Sequence, residues 1–259
     1  MPAYRFAVLG DPIDHSRSPE LHRAMLDLAG LEGDYLKVEA DDRVLEAEVE
    51  RLRAGEWDGL NITMPLKASA ARLADSVSPR AARAGSVNTL SRSNSEIHGE
   101  STDATTFHEL IHSGRFEDRS SILVLGSGGS AAAALSAVDD DETVYLAARR
   151  SSPAETLTAR LGGEVVSWGT AVAGALLINS TPIGMRGEEL PPGLLDAASG
   201  LIDLPYGESV TPAIRLAREM NIDVADGHEF LLRQAIASFR LWTGVDIDHR
   251  KLATRLRKA

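Results

Sequence analysis

The chain has 259 residues, no cysteine and a net charge of −11 at neutral pH. Lack of cysteine excludes disulfides, thiol catalysis and cysteine-type zinc sites, and an acidic balance without a long basic run argues against nucleic acid or an anionic membrane as partner. At this length a chain buries roughly three quarters of its unfolded surface, enough for one large domain or two modest ones. With neither a signal-peptide core nor an apolar run long enough to span a bilayer, a cytoplasmic protein is expected.

In chain order, residues 4–9 have the pattern of a strand and 10–17 form a polar turn. Ser18 as cap, Pro19 at the first helical position, the face of Leu21, Met25 and Leu28, and Gly30 as a stop predict the first helix. Strands at 34–39 and 59–63 flank an amphipathic helix at 42–54 built on Val44, Leu45, Val49 and Leu52. A short helix from Pro65 carries Lys67. Beyond 78–84, residues 86–90 and 95–103 suggest strands joined by a hairpin, and Thr102 is placed to cap a helix from Asp103 to His112, the expected domain crossing. Further on come a strand and helix within 120–135, a strand at 143–148, a helix at 154–161, strands at 164–166, 176–179 and 201–203, and a helix at 212–220. The tail holds helical patterns at 229–242 and 247–257, split by Thr243-Gly244. Alternation of this kind predicts an α/β fold.

The stretch 120–135 carries the strongest local signal. Ile122, Leu123, Val124 and Leu125 suit a strand covered on both faces. Gly126, Gly128 and Ala131 then fall on G-x-G-x-x-A: a tight turn, a close backbone approach to pyrophosphate, and a small residue where helix packs on strand. Free N–H groups at the helix start favour an anion. After the next strand stand Arg149 and Arg150, where an acidic residue would read a ribose hydroxyl. Arginine there suits a 2′-phosphate, hence NADP.

His108, Glu109, Leu110, Ile111 and His112 spell H-E-x-x-H, a zinc-hydrolase arrangement. The helix is predicted to end directly after the second histidine, and no later stretch clearly supplies a third ligand. Phe107, Leu110 and Ile111 account for the buried face, so two surface histidines and no metal are expected. Of the other histidines, only His15 lies in a stretch read as functional.

The polar loops resemble the signatures of the shikimate dehydrogenase family. Gly10-Asp11-Pro12-Ile13-Asp14-His15-Ser16-Arg17-Ser18-Pro19 resembles the first, Asn61-Ile62-Thr63-Met64-Pro65-Leu66-Lys67 is similar to N-V-T-x-P-x-K, and Gly85-Ser86-Val87-Asn88-Thr89, Thr102-Asp103, the NSTPIGM run at 179–185 and Gln234-Ala235 follow in the family's order. The resemblance implies that Ser16 and Ser18 bind a substrate carboxylate, that Thr63, Lys67, Asn88, Asp103, Tyr206 and Gln234 contact substrate, and that Lys67 and Asp103 are catalytic. It likewise implies that Gly126, Ser127, Gly128, Gly129, Ser130 and Ala131, with Arg149, Arg150, Thr181, Met185 and Gly227, bind NADP. The chain departs from the family pattern at Ser101, Ala148, Arg150, Glu208 and Phe230.

What the resemblance implies is two α/β domains: a substrate domain of residues 1–103 and 228–259, and a Rossmann-type NADP domain of residues 104–227. The implied activity is reversible reduction of 3-dehydroshikimate to shikimate, in aromatic amino-acid biosynthesis, by a monomer or homodimer with small-molecule partners only. A quinate/shikimate enzyme of looser cofactor choice and a catalytically idle NADP-binding relative are the competing readings.

Overall fold

The computed structural model describes residues 3–256 apart from His15 and Glu208. The readings placed on His15 and Glu208, and the last residue of the predicted tail helix, Arg257, lie outside the described residues. The chain divides into two compact units, Met1–Thr105 with Leu232–Ala259, and Thr106–Leu231.

The first unit contains β1 (Tyr4–Gly10), α1 (Ser18–Ala29), β2 (Gly33–Glu39), α2 (Asp42–Arg53), β3 (Gly59–Ile62), α3 (Lys67–Leu73), β4 (Ser76–Val77), α4 (Pro79–Ala84), β5 (Thr89–Ser93), β6 (Glu96–Glu100) and the start of α5 (Thr102–Ile111). Its sheet runs β2-β1-β3-β5-β6-β4. Strand β1 is parallel to β2 and β3, β5 is antiparallel to β3 and β6, and β4 is parallel to β6. The single reversal at β5 puts its amino end on the same sheet edge as the carboxyl ends of β1, β3 and β6. One face of the sheet packs Leu9, Leu60, Ile62, Leu90 and Ile97 against Leu45, Val49 and Leu52 of α2, the stripe that the helical period predicts.

Two predicted caps are corrected. Arg17, not Ser18, occupies the N-cap of α1 and makes no capping bond, its guanidinium being paired with Glu20 instead, while the Ser18 side chain is turned to the buried hydroxyl of Tyr35. At α5 the capping oxygen is that of Ser101, which accepts from the Ala104 N–H at 3.3 Å, and Thr102 is drawn instead into a bond with Asn88. Gly30 closes α1 in the left-handed region, φ 64°, as the stop signal predicts.

The second unit contains β7 (Ser121–Leu125), α6 (Gly129–Ser136), β8 (Val144–Ala147), α7 (Ser151–Leu161), β9 (Glu164–Val166), β10 (Ala175–Asn179), α8 (Leu194–Ala197), β11 (Ala198–Asp203), α9 (Pro212–Glu219) and β12 (Asp223–Asp226). All strands are parallel, in the order β12-β11-β10-β7-β8-β9. Read from β9, this is the doubly wound dinucleotide-binding order, and its winding reverses between β7 and β10, where such folds bind ligands. Leu123, Leu125, Leu177 and Leu201 pack on Leu194, Leu195 and Ile214; their alternates Ile122, Val124, Ile178 and Ile202 are also fully buried. The sheet is therefore covered on both faces, which is why β7 and β10 read as unbroken apolar runs.

Helix α10 (Gly227–Thr243) returns the chain to the first unit, and α11 (His249–Leu256) follows. There Trp242 stacks on Phe6 with ring centroids 4.6 Å apart, and its indole N–H donates to the Leu90 carbonyl at 3.0 Å. Gly59 lies beneath this indole: a Cβ on it would stand 2.3 Å from the ring. Among the described residues no helix is long and apolar enough to cross a membrane.

Candidate active site

In the first unit the polar loops converge on the shared sheet edge. The turn after β1 lies against the turn after β3: Thr63 N–H donates to the Leu9 carbonyl at 2.8 Å and Asp11 N–H to the Met64 carbonyl at 3.1 Å. Gly10 makes this approach possible, since a Cβ there would stand 2.3 Å from the Thr63 methyl and 2.9 Å from the Met64 oxygen. The loops carrying Ser16, Ser18, Thr63 and Lys67 are thereby joined.

Lys67 opens α3, and its carbonyl accepts from the Val87 N–H at 3.0 Å. Asp103 sits in the first turn of α5, where the helix dipole favours a carboxylate. Lys67 Nζ lies 2.5 Å from Asp103 Oδ2, with the side chains only 20% and 12% exposed. A charge-assisted bond in such partial burial fixes the ammonium group in one place.

Behind this pair lies a hydrogen-bonded hub. Asn88 Oδ1 accepts from the Thr102 N–H at 2.7 Å, and Asn88 Nδ2 donates to Thr102 Oγ1 at 3.0 Å. Asn61 Nδ2 is within hydrogen-bonding distance of the Asn88 carbonyl, Thr89 Oγ1 and Ser238 Oγ, at 3.0 to 3.1 Å, and the Tyr35 hydroxyl donates to Asn61 Oδ1 at 2.7 Å. All are buried, so partners for their polar atoms are obligatory. Ser238 Oγ also bonds the Gln234 carbonyl at 3.1 Å; one turn earlier on α10, Gln234 shares the face of Ser238. Tyr35, Asn61 and Ser238 escape sequence reasoning as site-building residues. The available signal is a small polar residue, Ser238, inside an apolar helical stripe that includes Ala235, Phe239 and Trp242.

In the second unit β7 and β8 end flush, and the Gly126 N–H donates to the Ala147 carbonyl at 2.9 Å. Gly126 has φ 115°, and a Cβ on it would stand 2.7 Å from Ser180 Oγ, so only glycine fits. Gly128 caps α6 and faces open space, with nothing within 4 Å of a Cβ placed there. Hydrogen bonding inside α6 begins with Ala132 donating to the Gly128 carbonyl at 3.0 Å, which leaves the N–H groups of Gly129, Ser130 and Ala131 outside the helix's own pattern. Ser127 precedes them, half-buried. Arg149 and Arg150 follow the end of β8, both exposed.

The loop after β10 completes this edge. Ser180 Oγ donates to the Leu125 carbonyl at 2.6 Å, and Asn179 Oδ1 accepts from the N–H and hydroxyl of Thr181 at 3.1 and 2.7 Å. Asn179 Nδ2 in turn donates to Asp203 at 2.7 Å. Burial raises the Asp203 carboxyl to about 6, against the hydrogen bonds from Thr211 and Asn179 that favour its charged form. Met185 is left 47% exposed. Gly227 is required by close packing, since a Cβ there would stand 2.3 Å from the Leu204 carbonyl oxygen, and Tyr206 lies 5.6 Å from the ring of His228. Of the predicted substrate residues, Tyr206 alone belongs to this second unit.

The family model described as the shikimate dehydrogenase substrate binding domain matches residues 8–90. An NADP(+) shikimate dehydrogenase of Thermus thermophilus is 36% identical, covering 98% of each chain, and one of Xylella fastidiosa is 37% identical over 94% of this chain and 92% of its own. A solved structure of shikimate 5-dehydrogenase from Thermus thermophilus, in complex with NADP(H) and shikimate, superposes with a TM-score of 0.88 at 32% identity, covering 98% of this chain and 99% of that one. Fold, loop order and full-length similarity agree, and the chain belongs to the shikimate dehydrogenase family.

Proposed function

We propose that this chain is an NADP-dependent shikimate dehydrogenase, interconverting shikimate and 3-dehydroshikimate in aromatic amino-acid biosynthesis. The observation that carries the reading is the ion pair of Lys67 with Asp103, 2.5 Å apart at the loop edge of the first unit.

The second unit fits the cofactor. The open space at Gly128, the free N–H groups of Gly129, Ser130 and Ala131, and the excluded Cβ at Gly126 form a cradle for a pyrophosphate. Arg149 and Arg150, at the neighbouring strand end, offer planar forks of donors suited to a 2′-phosphate. Ser127, Thr181, Met185 and Gly227 complete the proposed cofactor set. Bound NADP supplies the hydride acceptor, and in reduced form the hydride donor.

The first unit handles substrate and proton. As the alcohol carbon gives up its hydride, its hydroxyl must lose a proton, and the neutral amine of Lys67 takes it. In reduction the Lys67 ammonium returns that proton to the oxygen at which negative charge develops, and its charge stabilises the oxyanion. Asp103 holds the Lys67 nitrogen with one carboxylate oxygen, leaving the other to orient the reacting hydroxyl. Ser16 and Ser18 donate hydroxyl hydrogen bonds to the substrate carboxylate, and Thr63, Asn88 and Gln234 line the remaining substrate positions of this unit.

The test mixes purified protein with shikimate or quinate and NADP or NAD, in all four combinations, and follows formation of reduced nicotinamide. Shikimate with NADP is expected to turn over fastest. Equal rates with quinate or with NAD would favour the looser enzyme, and no turnover in any combination would defeat the reading.

A further inference from the structure

The H-E-x-x-H run at the end of α5 is not two independent surface histidines. His108 is half-buried, and the two rings lie 4.3 Å apart between centroids. The residue that the sequence does not connect to them is Asp139, in the turn between α6 and β8. Its Oδ2 stands 3.2 Å from His112 Nε2, and one donor atom from each of His108, His112 and Asp139 lies within 4.8 Å of the others.

The hydrogen bonds of the two rings decide which nitrogen remains available to a ligand. His108 Nδ1 is 3.1 Å from the Ala137 carbonyl, and His112 Nδ1 is 2.8 Å from the His108 carbonyl. A carbonyl only accepts, so each neutral ring carries its proton on Nδ1 and leaves the Nε2 lone pair free. Metal-bound histidines are held in this way, with the outer ring N–H fixed by a carbonyl or carboxylate.

We propose that His108 Nε2, His112 Nε2 and the Asp139 carboxylate form a binding site for a divalent transition-metal ion, zinc being the best match. Two imidazoles and one carboxylate suit zinc, whereas calcium and magnesium call for oxygen ligands. Zinc bonds of about 2.0–2.2 Å place tetrahedral ligands roughly 3.4 Å apart. His112 and Asp139 already meet that spacing at 3.2 Å, and the His108 ligand atom lies within 4.8 Å of both. Glu142 approaches His112 Nε2 at 4.0 Å but is engaged by Arg119 at 3.0 Å, so the fourth position falls to water. The site clips the end of α5 to the α6–β8 turn.

Untagged full-length protein, stripped with chelator and dialysed, is titrated with zinc chloride by calorimetry and with cobalt(II) chloride by visible absorption. The expected result is one saturable equivalent of zinc, a cobalt spectrum of low-coordinate type, and a zinc-dependent rise in melting temperature. His112→Ala and Asp139→Ala, both at exposed positions, should each weaken binding by at least tenfold and abolish that rise while leaving the circular dichroism spectrum unchanged. Absence of a saturable equivalent in the parent protein overturns the proposal, because the contact is then only a pairing of His112 with Asp139. Equal binding by parent and both variants overturns it too, by placing the metal elsewhere.

Discussion

Asn88 and Thr102 are clasped by two hydrogen bonds, the Thr102 N–H to Asn88 Oδ1 at 2.7 Å and Asn88 Nδ2 to Thr102 Oγ1 at 3.0 Å. The clasp ties the start of β5 to the start of α5, one residue before Asp103. Asn88→Ala leaves the buried Thr102 N–H without this acceptor, a loss of about 1–3 kcal/mol. The variant should melt earlier and also lose kcat, because Asp103 is no longer held. Urea unfolding and steady-state kinetics check both halves; lost stability with unchanged kcat would confine the clasp to folding.

Ser16 and Ser18 should separate in their effects. A hydrogen bond to a charged group is worth roughly 1.5–3 kcal/mol, so either alanine variant should bind shikimate about ten- to a hundredfold more weakly while sparing NADP. Ser18→Ala also deprives the buried Tyr35 of a partner and should lower the melting temperature more than Ser16→Ala, which loses only a 3.3 Å acceptor of the part-buried Ser18 N–H. Normal shikimate binding by both variants would misplace the carboxylate site.

Arg149→Asp should raise the KM for NADP far more than that for NAD, since it removes a phosphate-binding fork and adds a like charge. Separate alanine substitutions at Arg149 and Arg150 show which guanidinium dominates. Equal losses with both cofactors would remove the 2′-phosphate assignment.

His22 is fully buried against Tyr35, and among the described residues neither ring nitrogen has a hydrogen-bonding partner. Burial lowers its pKa from 6.5 to about 3. The unfolded chain therefore binds more protons between those values: stability is fully present above pH 6.5 and is lost as pH falls toward 3, by roughly 5 kcal/mol. Asp203 acts in the opposite sense between 3.8 and about 6, so the informative quantity is a difference. His22→Leu should lose less stability than the parent protein between pH 7 and pH 4, measured by denaturant unfolding. Parallel pH profiles would exclude His22 as the source.

Where structure depends on neighbours in sequence, it was legible. The apolar run of β7, the turn at Gly126 and the start of α6 are local, and the structure places them within a residue or two of expectation. The two-residue β4 is too short to carry a pattern, the acidic strand β12 has one buried residue, Ala225, and α8 is a single turn. The caps at Ser18 and Thr102 failed because a distant partner outbid the local helix end for each side chain. The hub is the extreme case: Asn61 and Ser238 meet across 177 residues, and no local pattern reports such a contact. Ser16, Thr63, Lys67, Asn88 and Asp103 came into view only through their joint resemblance to family signatures, each alone being an ordinary turn or helix residue.

The most direct measurement compares kcat of the parent protein, Lys67→Ala and Asp103→Asn with shikimate and NADP, substrate affinity being measured separately by calorimetry. A positioned acid or base contributes about a hundred- to ten-thousandfold, so Lys67→Ala should lose kcat on that scale with affinity little changed, and Asp103→Asn should lose both. Near-normal kcat in Lys67→Ala would mean that another group moves the proton, contradicting the role assigned to the Lys67–Asp103 pair.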